Sequence, residues 1–163
     1  MKVIKKVIVA VILLVGILTS TNLIDAADTD ARISNTAYEA TVKYGGTYGI
    51  SPELLQALIE TESCGNPKAI NGGCKGLCQI YERYHHDRME KLGVYDIYDE
   101  QSNVLIAADY LAELFKEYGD VCLALDIYNG NSNAEYNFEW GIISEYAERI
   151  LKRSAELERL HGK

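Results

Sequence analysis

Apolar residues recur at helical spacing along most of the chain, and this pattern predicts a domain built mainly of helices. The clearest segment begins at Ser51, a residue type that caps helices, has Pro52 at its first helical position, and ends at Cys64 or Gly65. Four further segments have apolar stripes or recognisable end signals, and they cover residues 35–43, 102–118, 120–128 and 139 to the C-terminus. The sequence therefore predicts about five helices in an all-α, or α-rich α+β, fold.

Glycine-rich stretches separate the predicted helices. Gly45 and Gly46 follow the first segment and are expected to end it. Residues 66–88 carry three glycines and are expected to form a compact loop or a short hairpin, with no room for a full sheet. Residues 129–137 are rich in Asn and are expected to form another loop.

The N-terminal residues have the layout of a secretory signal. A basic start, MKVIKK, precedes a run of twelve apolar residues and then the polar, small segment TSTNLIDAA. We expect residues 1–26 to be a signal peptide that is cleaved after Ala26. The apolar run is shorter than the about 20 residues that a spanning helix needs, and retention as a membrane anchor through residues 7–24 is the alternative. Residues 27–163 are then expected to form one globular domain, the catalytic domain of the protein.

The charge balance excludes some partners. The chain has a formal net charge of −8, and removal of the lysine-rich segment 1–26 makes the remaining domain more acidic still. Nucleic acids and anionic membrane surfaces are bound through Lys and Arg that neutralise phosphates, so neither is an expected partner.

Four cysteines follow the predicted signal segment: Cys64, Cys74, Cys78 and Cys122. An even number of cysteines in a secreted domain predicts two disulfides. Three pairings are open, and we favour Cys64 with Cys74 and Cys78 with Cys122. Their spacing lacks the paired short-range ligands of a zinc ribbon, so no metal is expected.

Several conspicuous side chains are expected to have ordinary roles. His85 and His86 lie in a polar stretch, where a solvated turn is expected rather than a metal site or a catalytic base. Six tyrosines could serve as stacking platforms for sugar rings, although each alone more often packs against its neighbours. They are Tyr44, Tyr48, Tyr81, Tyr84, Tyr95 and Tyr98.

Two glutamates near the end of the second predicted helix point to different sides. Glu60 shares one polar face with Glu53 and Gln56, and this face is expected to lie in solvent. Glu62 instead continues the apolar stripe. Either the stripe ends at the surface and Glu62 reaches water, or Glu62 is a desolvated carboxyl that keeps its proton towards neutral pH, as a general acid requires.

A resemblance begins at the second of these glutamates. Residues 62–69, ESCGNPKA, resemble the E-S-x-x-N-P-K-A stretch of the lytic transglycosylases related to goose-type lysozyme. Residues 73–80, GCKGLCQI, resemble their G-A-x-G-L-M-Q-I, and two later stretches, NVLIAADYL and ALDIYNGN, resemble their N-I-x-x-G-x-x-Y-L and A-L-A-A-Y-N-A-G. The four motifs keep the family's order across residues 35–150, and they imply a lysozyme-like domain with a short Gly-rich loop beside an active-site groove.

The resemblance implies a chemistry for Glu62. In this family one glutamate protonates the β-1,4 bond between N-acetylmuramic acid (MurNAc) and N-acetylglucosamine (GlcNAc), and it then acts as base on the C6 hydroxyl, which leaves a 1,6-anhydroMurNAc end. No metal or cofactor is implied. Tyr128 is expected to hydrogen-bond or pack near the Glu62 carboxyl, and Gln79 to present its amide to the substrate. Ser63 and Asn129 are further substrate-binding candidates, although local capping explains them equally well.

Two other functions remain open. A hydrolytic muramidase would use water and a second carboxylate, for which the candidates are Asp87, Asp96, Asp99 and Asp126. A non-catalytic peptidoglycan-binding module would keep the groove without activity. In each case the expected partner is the glycan strand, a secretion or conjugation apparatus of the cell envelope is a further candidate partner, and the expected state is a secreted or envelope-located monomer.

Overall fold

The computed structural model describes residues 32–163, which form seven helices and three short strands. The predicted signal or anchor segment lies outside the described residues. Within those residues, no helix combines the length and the apolar character that crossing a membrane requires. The elements are α1 (Asn35–Tyr48), α2 (Pro52–Ser63), β1 (Ile70–Asn71), β2 (Cys74–Lys75), β3 (Ile80–Tyr81), α3 (Glu82–Leu92), α4 (Glu100–Tyr118), α5 (Val121–Tyr128), α6 (Ala134–Glu139) and α7 (Glu145–Leu160).

Helix α2 lies at the centre of the domain. It packs against α1 and α7, while α4 contacts α1 and α5. Leu55, Leu58 and Ile59 of α2 are fully buried in the main hydrophobic core. Each fully buried side chain of this size contributes roughly 1.5–3 kcal/mol relative to exposure. The last turn of α2, which carries Glu62, is therefore attached to a rigid support.

Local end signals predicted three helices well. Helix α2 begins at Pro52 and ends at Ser63, where Cys64 turns the chain with φ of 53°. Helix α5 begins after Asp120, whose carboxylate accepts the backbone N–H of Leu123. Helix α4 ends at Tyr118 as predicted and begins two residues earlier than predicted. In each case capping residues or a left-handed turn supply partners for the backbone groups at the ends.

The predicted end of the first helix at its glycine pair is wrong. Helix α1 continues through Gly45 and Gly46 and ends at Gly49, which has φ of 69°. A Cβ on Gly45 would lie 2.6 Å from the carbonyl oxygen of Ile50, so this glycine permits the close approach of the following segment. A glycine required by packing within a helix has the same sequence signal as one that ends it.

The region between α2 and α4 contains more structure than predicted. A small antiparallel sheet in the order β1-β2-β3 pairs Asn71 with Cys74 and Cys74 with Tyr81. It is followed by α3, where the sequence predicted a solvated turn. Ion pairs from Arg88 of α3 to Asp109 and Glu113 of α4 attach this polar helix to the domain.

The C-terminal third also differs from the prediction. Residues 129–137 contain the start of α6 rather than only a loop, and the last helix, predicted from residue 139, begins instead at Glu145 as α7. Gly141, with φ of 66°, interrupts the helical path, and Ser144 caps α7 by accepting the N–H of Ala147. Ile142 and Ile143, which were predicted to lie on the buried stripe, are 50% and 57% exposed.

The polar face of α2 is buried, which corrects the prediction that Glu60 lies in solvent. Glu60 is 8% exposed, because α7 covers this face and Arg153 donates from Nε to Glu60 Oε2 over 2.7 Å. Gln56 donates to the same carboxylate over 3.0 Å. At the other end of the face, Glu53 accepts from Lys163 Nζ over 2.7 Å. A charged stripe becomes interior when a second helix supplies matching charges.

The predicted disulfides are not present. All four cysteines lie among the described residues, and all are free thiols. Cys78 is fully buried beside the end of α5, where the Tyr128 hydroxyl donates to its carbonyl oxygen over 2.8 Å. Cys122 lies six residues before Tyr128, about 9 Å away along the helix axis. Cys78 and Cys122 do not pair, and Cys64 likewise remains unpaired with Cys74.

Candidate active site

Glu62 lies on the last turn of α2, with its carboxyl partly buried beneath α7. Burial raises the pKa of this carboxyl above its ordinary value, and two groups of α7 partly offset the effect. The Tyr146 hydroxyl donates a hydrogen bond to Glu62 Oε1, and the positive charge of Arg149 acts from the same helix. The site therefore contains a carboxyl group that holds its proton to a higher pH than an exposed glutamate.

Tyr146 is a site residue that the sequence interpretation missed. It is 9% exposed and lies among the buried residues of α7, and no role in the site was assigned to it from the sequence. Burial, followed by the nearby Glu62 charge, raises the pKa of its hydroxyl, which stays protonated and can act as a donor. One signal could have identified it, because a tyrosine on a buried stripe needs a partner for its hydroxyl.

A network around Asn103 fixes the backbone opposite Glu62. Its Nδ2 donates to the carbonyl oxygens of Ile97 over 2.8 Å and Lys75 over 3.1 Å, and its Oδ1 accepts the N–H of Cys78 over 2.8 Å. Gly76 has φ of 78°, and a Cβ there would lie 2.3 Å from Asn103 Nδ2. The glycine and the buried asparagine thus together determine the path of the segment that precedes β3.

The side-chain amide of Gln79 is used within this loop. Gln79 has φ of 50°, and its Nε2 donates to the carbonyl oxygens of Gly76 over 2.9 Å and Ala69 over 3.3 Å. Ser63 likewise donates locally, from its Oγ to the carbonyl oxygen of Ile59 over 3.2 Å. Both side chains therefore have a structural role in positioning the loop and the end of α2.

Tyr128 lies near Glu62 but makes its hydrogen bond elsewhere. Of the two expectations for Tyr128, a hydrogen bond to the Glu62 carboxyl or packing near it, the structure does not show the bond: its hydroxyl donates to the carbonyl oxygen of Cys78, and Tyr146 donates to Glu62. Burial raises the pKa of Tyr128 well above its ordinary value, and the charges of Cys78 and Glu62 act in the same direction. Asn129 follows it as the cap of α5 and is exposed.

A groove of about 720 Å³ runs beside these residues. Cys74, Gln79, Tyr128 and Asn129 line the end nearer to Glu62. Glu62 is not itself a lining residue, but its negative charge raises the pKa of Cys74, after the larger effect of burial, so the carboxyl lies near this end of the groove. The dimensions suit a chain-like polar ligand passing close to the carboxyl.

Comparison with known proteins assigns the family. A family model described as the transglycosylase SLT domain matches residues 39–138. The chain belongs to this family. A transglycosylase of Enterobacteria phage PRD1 is 34% identical to this chain over 107 residues. The matched region covers 64% of this chain and 38% of the phage protein.

A solved structure shows the same fold. It is the X-ray structure of an inactive variant of lytic transglycosylase Slt from Pseudomonas aeruginosa, in which a glutamate is replaced by glutamine. The match has a TM-score of 0.65 at 17% identity, over 76% of this chain and 24% of that chain. This chain therefore spans well under half the length of both proteins, and the predicted lysozyme-like fold is confirmed for the SLT domain.

The aspartates considered as a second catalytic group have other roles in the SLT domain. Asp126 is buried, where it accepts hydrogen bonds from Ser144 and Asn131. Asp96 accepts the backbone N–H of Tyr98 over 2.8 Å. Asp99 precedes the first residue of α4, and the side chain of Asp87 is fully exposed on α3. Among the residues that the structure describes, no group of three or more His, Cys, Asp or Glu side chains could hold a metal ion.

Proposed function

We propose that this SLT domain is a peptidoglycan lytic transglycosylase that cleaves the β-1,4 bond between MurNAc and GlcNAc and leaves 1,6-anhydroMurNAc ends. The observation that carries the proposal is the Glu62 carboxyl, which has a raised pKa, receives a hydrogen bond from Tyr146 and lies close enough to the groove for its charge to act on Cys74 and Tyr128. A proton held towards neutral pH is what a general acid needs.

In the first step, protonated Glu62 donates its proton to the glycosidic oxygen as the bond breaks. Its other carboxyl oxygen, Oε1, accepts the Tyr146 hydroxyl, which orients the group on a rigid helix. This bond strengthens as the carboxylate forms, because hydrogen bonds to charged acceptors are roughly twice as strong as those to neutral ones.

In the second step, the Glu62 carboxylate removes the proton from the C6 hydroxyl of the muramoyl sugar. That oxygen closes onto C1, and no water molecule is used. Glu62 regains its proton and the cycle ends. The mechanism needs one carboxylate that alternates between two protonation states, whereas hydrolysis by a retaining or inverting route needs two.

Two observations support the transglycosylase over the hydrolase. Asp96 and Asp126 accept hydrogen bonds from groups other than Glu62, Asp87 is fully exposed, and no hydrogen bond links any of the four candidate aspartates to Glu62. In addition, the phage relative is called a transglycosylase, and the similar Pseudomonas structure is that of a lytic transglycosylase whose glutamate-to-glutamine variant is inactive. We extend both activities to this chain by analogy.

The remaining roles follow from position. Gln79, Tyr128 and Asn129 line the groove. We propose that their solvent-exposed atoms contact the glycan, while the atoms that make hydrogen bonds within the protein keep the backbone in place. Ser63 is proposed to support the end of α2. The substrate lies in the cell wall, so we propose that the protein acts at the cell envelope. Secretion through residues 1–26, or a tether through residues 7–24, would bring it there.

Mass spectrometry of the released muropeptides tests the proposal. Purified peptidoglycan is incubated with the wild-type protein, with Glu62→Gln, and with Glu90→Gln as a control at an exposed position of α3. Anhydro ends from the wild type and the control, with none from Glu62→Gln, are the expected result. Products that are one water heavier would identify a hydrolase. Absence of product from the wild type, with glycan binding retained, would identify a binding module.

A further inference from the structure

The groove continues beyond the residues near Glu62 to a second end on α3 and α4. Tyr128 stacks on Tyr110 with ring centroids 5.5 Å apart, and Tyr110 meets His85 edge-on at 4.7 Å. Tyr84 and Glu113 complete this region, which we call the aromatic end of the groove. The sequence interpretation assigned no role to His85 and none to Glu113.

The aromatic end carries a negative charge. Arg88 pairs with Asp109 and, through Nη2 at 2.8 Å, with Glu113 Oε2. One guanidinium therefore faces two carboxylates. The Arg88 and Asp109 side chains are only 13% and 14% exposed, whereas that of Glu113 is 58% exposed. The charge that a ligand meets is consequently the Glu113 carboxylate, which can accept a second donor.

The surrounding rings fit a cation. Tyr84 is 82% exposed and lines the same groove as Glu113. Tyr110 lies one turn before Glu113 on α4, but the Arg88 guanidinium is already 5.1 Å from its ring centroid, so Tyr84 offers the exposed aromatic face. Ammonium groups are bound by this combination, through ion pairing and through attraction to aromatic faces. Burial, together with the charge of Arg88, lowers the pKa of His85, and a neutral imidazole adds no repulsion for a cation.

We propose that the aromatic end of the groove binds a primary ammonium group of the substrate, with Glu113 as the ionic partner and Tyr84 as the exposed aromatic face. The proposal rests on the proposed function, since it names the substrate feature that the same groove selects. Neutral N-acetylated sugars carry no such group. It has two sources in peptidoglycan: the free side-chain amine of a diamino acid in an uncross-linked peptide stem, and the amine of a de-N-acetylated glucosamine.

Acetylation of the substrate provides the test. Peptidoglycan is divided, and one half is treated with acetic anhydride, which converts ammonium groups to neutral amides. We expect kcat/KM of the wild type to fall about five- to tenfold on the acetylated half, as for loss of a partly exposed charged hydrogen bond. Glu113→Gln should cleave both halves equally, at about the rate of the wild type on the acetylated half.

A matched control is available one turn along the same helix. Glu117 is exposed on α4 and does not line the groove, so Glu117→Gln should retain the wild-type preference. Equal rates of the wild type on both halves would overturn the proposal. It would also be overturned if Glu113→Gln kept the full preference, because the preference would then arise elsewhere.

Two further arms separate the sources of the ammonium group. An amidase that removes the peptide stems should abolish the preference if the amine belongs to the stem. De-N-acetylation of stem-free strands should raise the rate if the amine belongs to glucosamine. Either result supports an ammonium site, and the absence of both effects counts against it.

A binding readout keeps this inference separate from the catalytic one. If the wild type releases no product from any preparation, the proposed function fails. Co-sedimentation of the same proteins with untreated and acetylated peptidoglycan then tests the ammonium site alone. Weaker binding to the acetylated material, for the wild type and Glu117→Gln but not for Glu113→Gln, is the expected result, and equal binding overturns the site.

Discussion

Replacement of Arg153 by Met should severely destabilise the domain. Its guanidinium donates from Nε and Nη2 to the two oxygens of Glu60, over 2.7 and 3.3 Å. The side chains of Arg153 and Glu60 are 15% and 5% exposed, so the substitution leaves a buried carboxylate without its cation. Removal of one member of a buried pair costs about 3–5 kcal/mol. We expect about 3 kcal/mol, because Gln56 continues to donate to Glu60.

This magnitude is a large fraction of the total stability, since domains of this size unfold with about 5–15 kcal/mol. Urea denaturation followed by far-ultraviolet circular dichroism measures the change. Trp140, the single tryptophan of the chain, is 69% exposed after α6 and is a poor reporter of the core. Circular dichroism instead reports all helices together.

A double-mutant cycle isolates the pair. The Glu60→Gln and Arg153→Met double variant should be less destabilised than the sum of the single changes, with a coupling energy of about 2 kcal/mol. Lys152→Met, at the adjacent exposed position of α7, should change stability by no more than about 0.5 kcal/mol. A cost below about 1 kcal/mol for Arg153→Met would refute the view that α7 neutralises an interior charge.

Three further outcomes are expected. Glu62→Gln should raise the melting temperature at neutral pH by about 3–5 °C, or about 1 kcal/mol, because a carboxyl with a raised pKa opposes folding once ionised. Thermal unfolding should show this gain vanishing below about pH 4, where the carboxyl is protonated in the unfolded state as well. A gain that persists below that pH would contradict the reasoning. Tyr146→Phe should move the alkaline limb of the pH–rate profile to higher pH, because the Tyr146 hydrogen bond lowers the Glu62 pKa and the variant lacks it. Tyr128→Phe removes a hydroxyl that is bonded to the Cys78 carbonyl and should leave that limb in place. Deletion of residues 161–163 should cost on the order of 1–2 kcal/mol of unfolding free energy at neutral pH, allowing for solvent screening. Burial alone would raise the Glu53 pKa, but hydrogen bonds from Lys163, His161 and Ser51 bring it to about 2. The stabilisation is therefore present above the unfolded pKa of about 4.3 and is lost as pH falls towards 2. Melting curves of the two proteins should therefore converge in acid, and a constant gap would argue against Glu53 as the cause.

Features determined by neighbouring residues could be predicted from the sequence. Helix α2 was located by Pro52 and the turn at Cys64, and α5 by the Asp120 cap, because such signals act within one turn of the chain. The apolar stripe left open whether Glu62 reaches water or is desolvated, and in the structure burial raises its pKa.

Features determined by distant residues could not be predicted in the same way. Gly45 was read as a helix end because the approach of Ile50 is a tertiary contact. Helix α3 has a polar sequence and depends on ion pairs with α4. Glu60 was assigned to solvent because only the packing of α7 reveals Arg153. In each case a rule based on neighbouring residues missed an interaction between residues that are far apart in the chain.

The same limit applied to the site. The motif resemblance pointed to Tyr128 as the partner of the Glu62 carboxyl, and that tyrosine does lie close to the carboxyl's charge. The hydrogen bond, however, comes from Tyr146, and nothing in the spacing of α7 distinguishes a donor from a core tyrosine. A contact between residues that are far apart in the chain requires the fold itself.

The bond between Tyr146 and Glu62 joins residues that are 84 positions apart. An exposed stretch around Gly130 and Ser132 separates the part of the chain that holds Glu62 from the part that holds Tyr146. A break there would leave one fragment with Glu62 and the groove. The other fragment would carry α7, whose Tyr146 orients Glu62 and whose Arg153 pairs with Glu60 of α2. Neither fragment alone would have a complete site. Activity could then serve as a signal of fragment complementation, so that the rate of glycan cleavage would measure how tightly two separately made pieces associate.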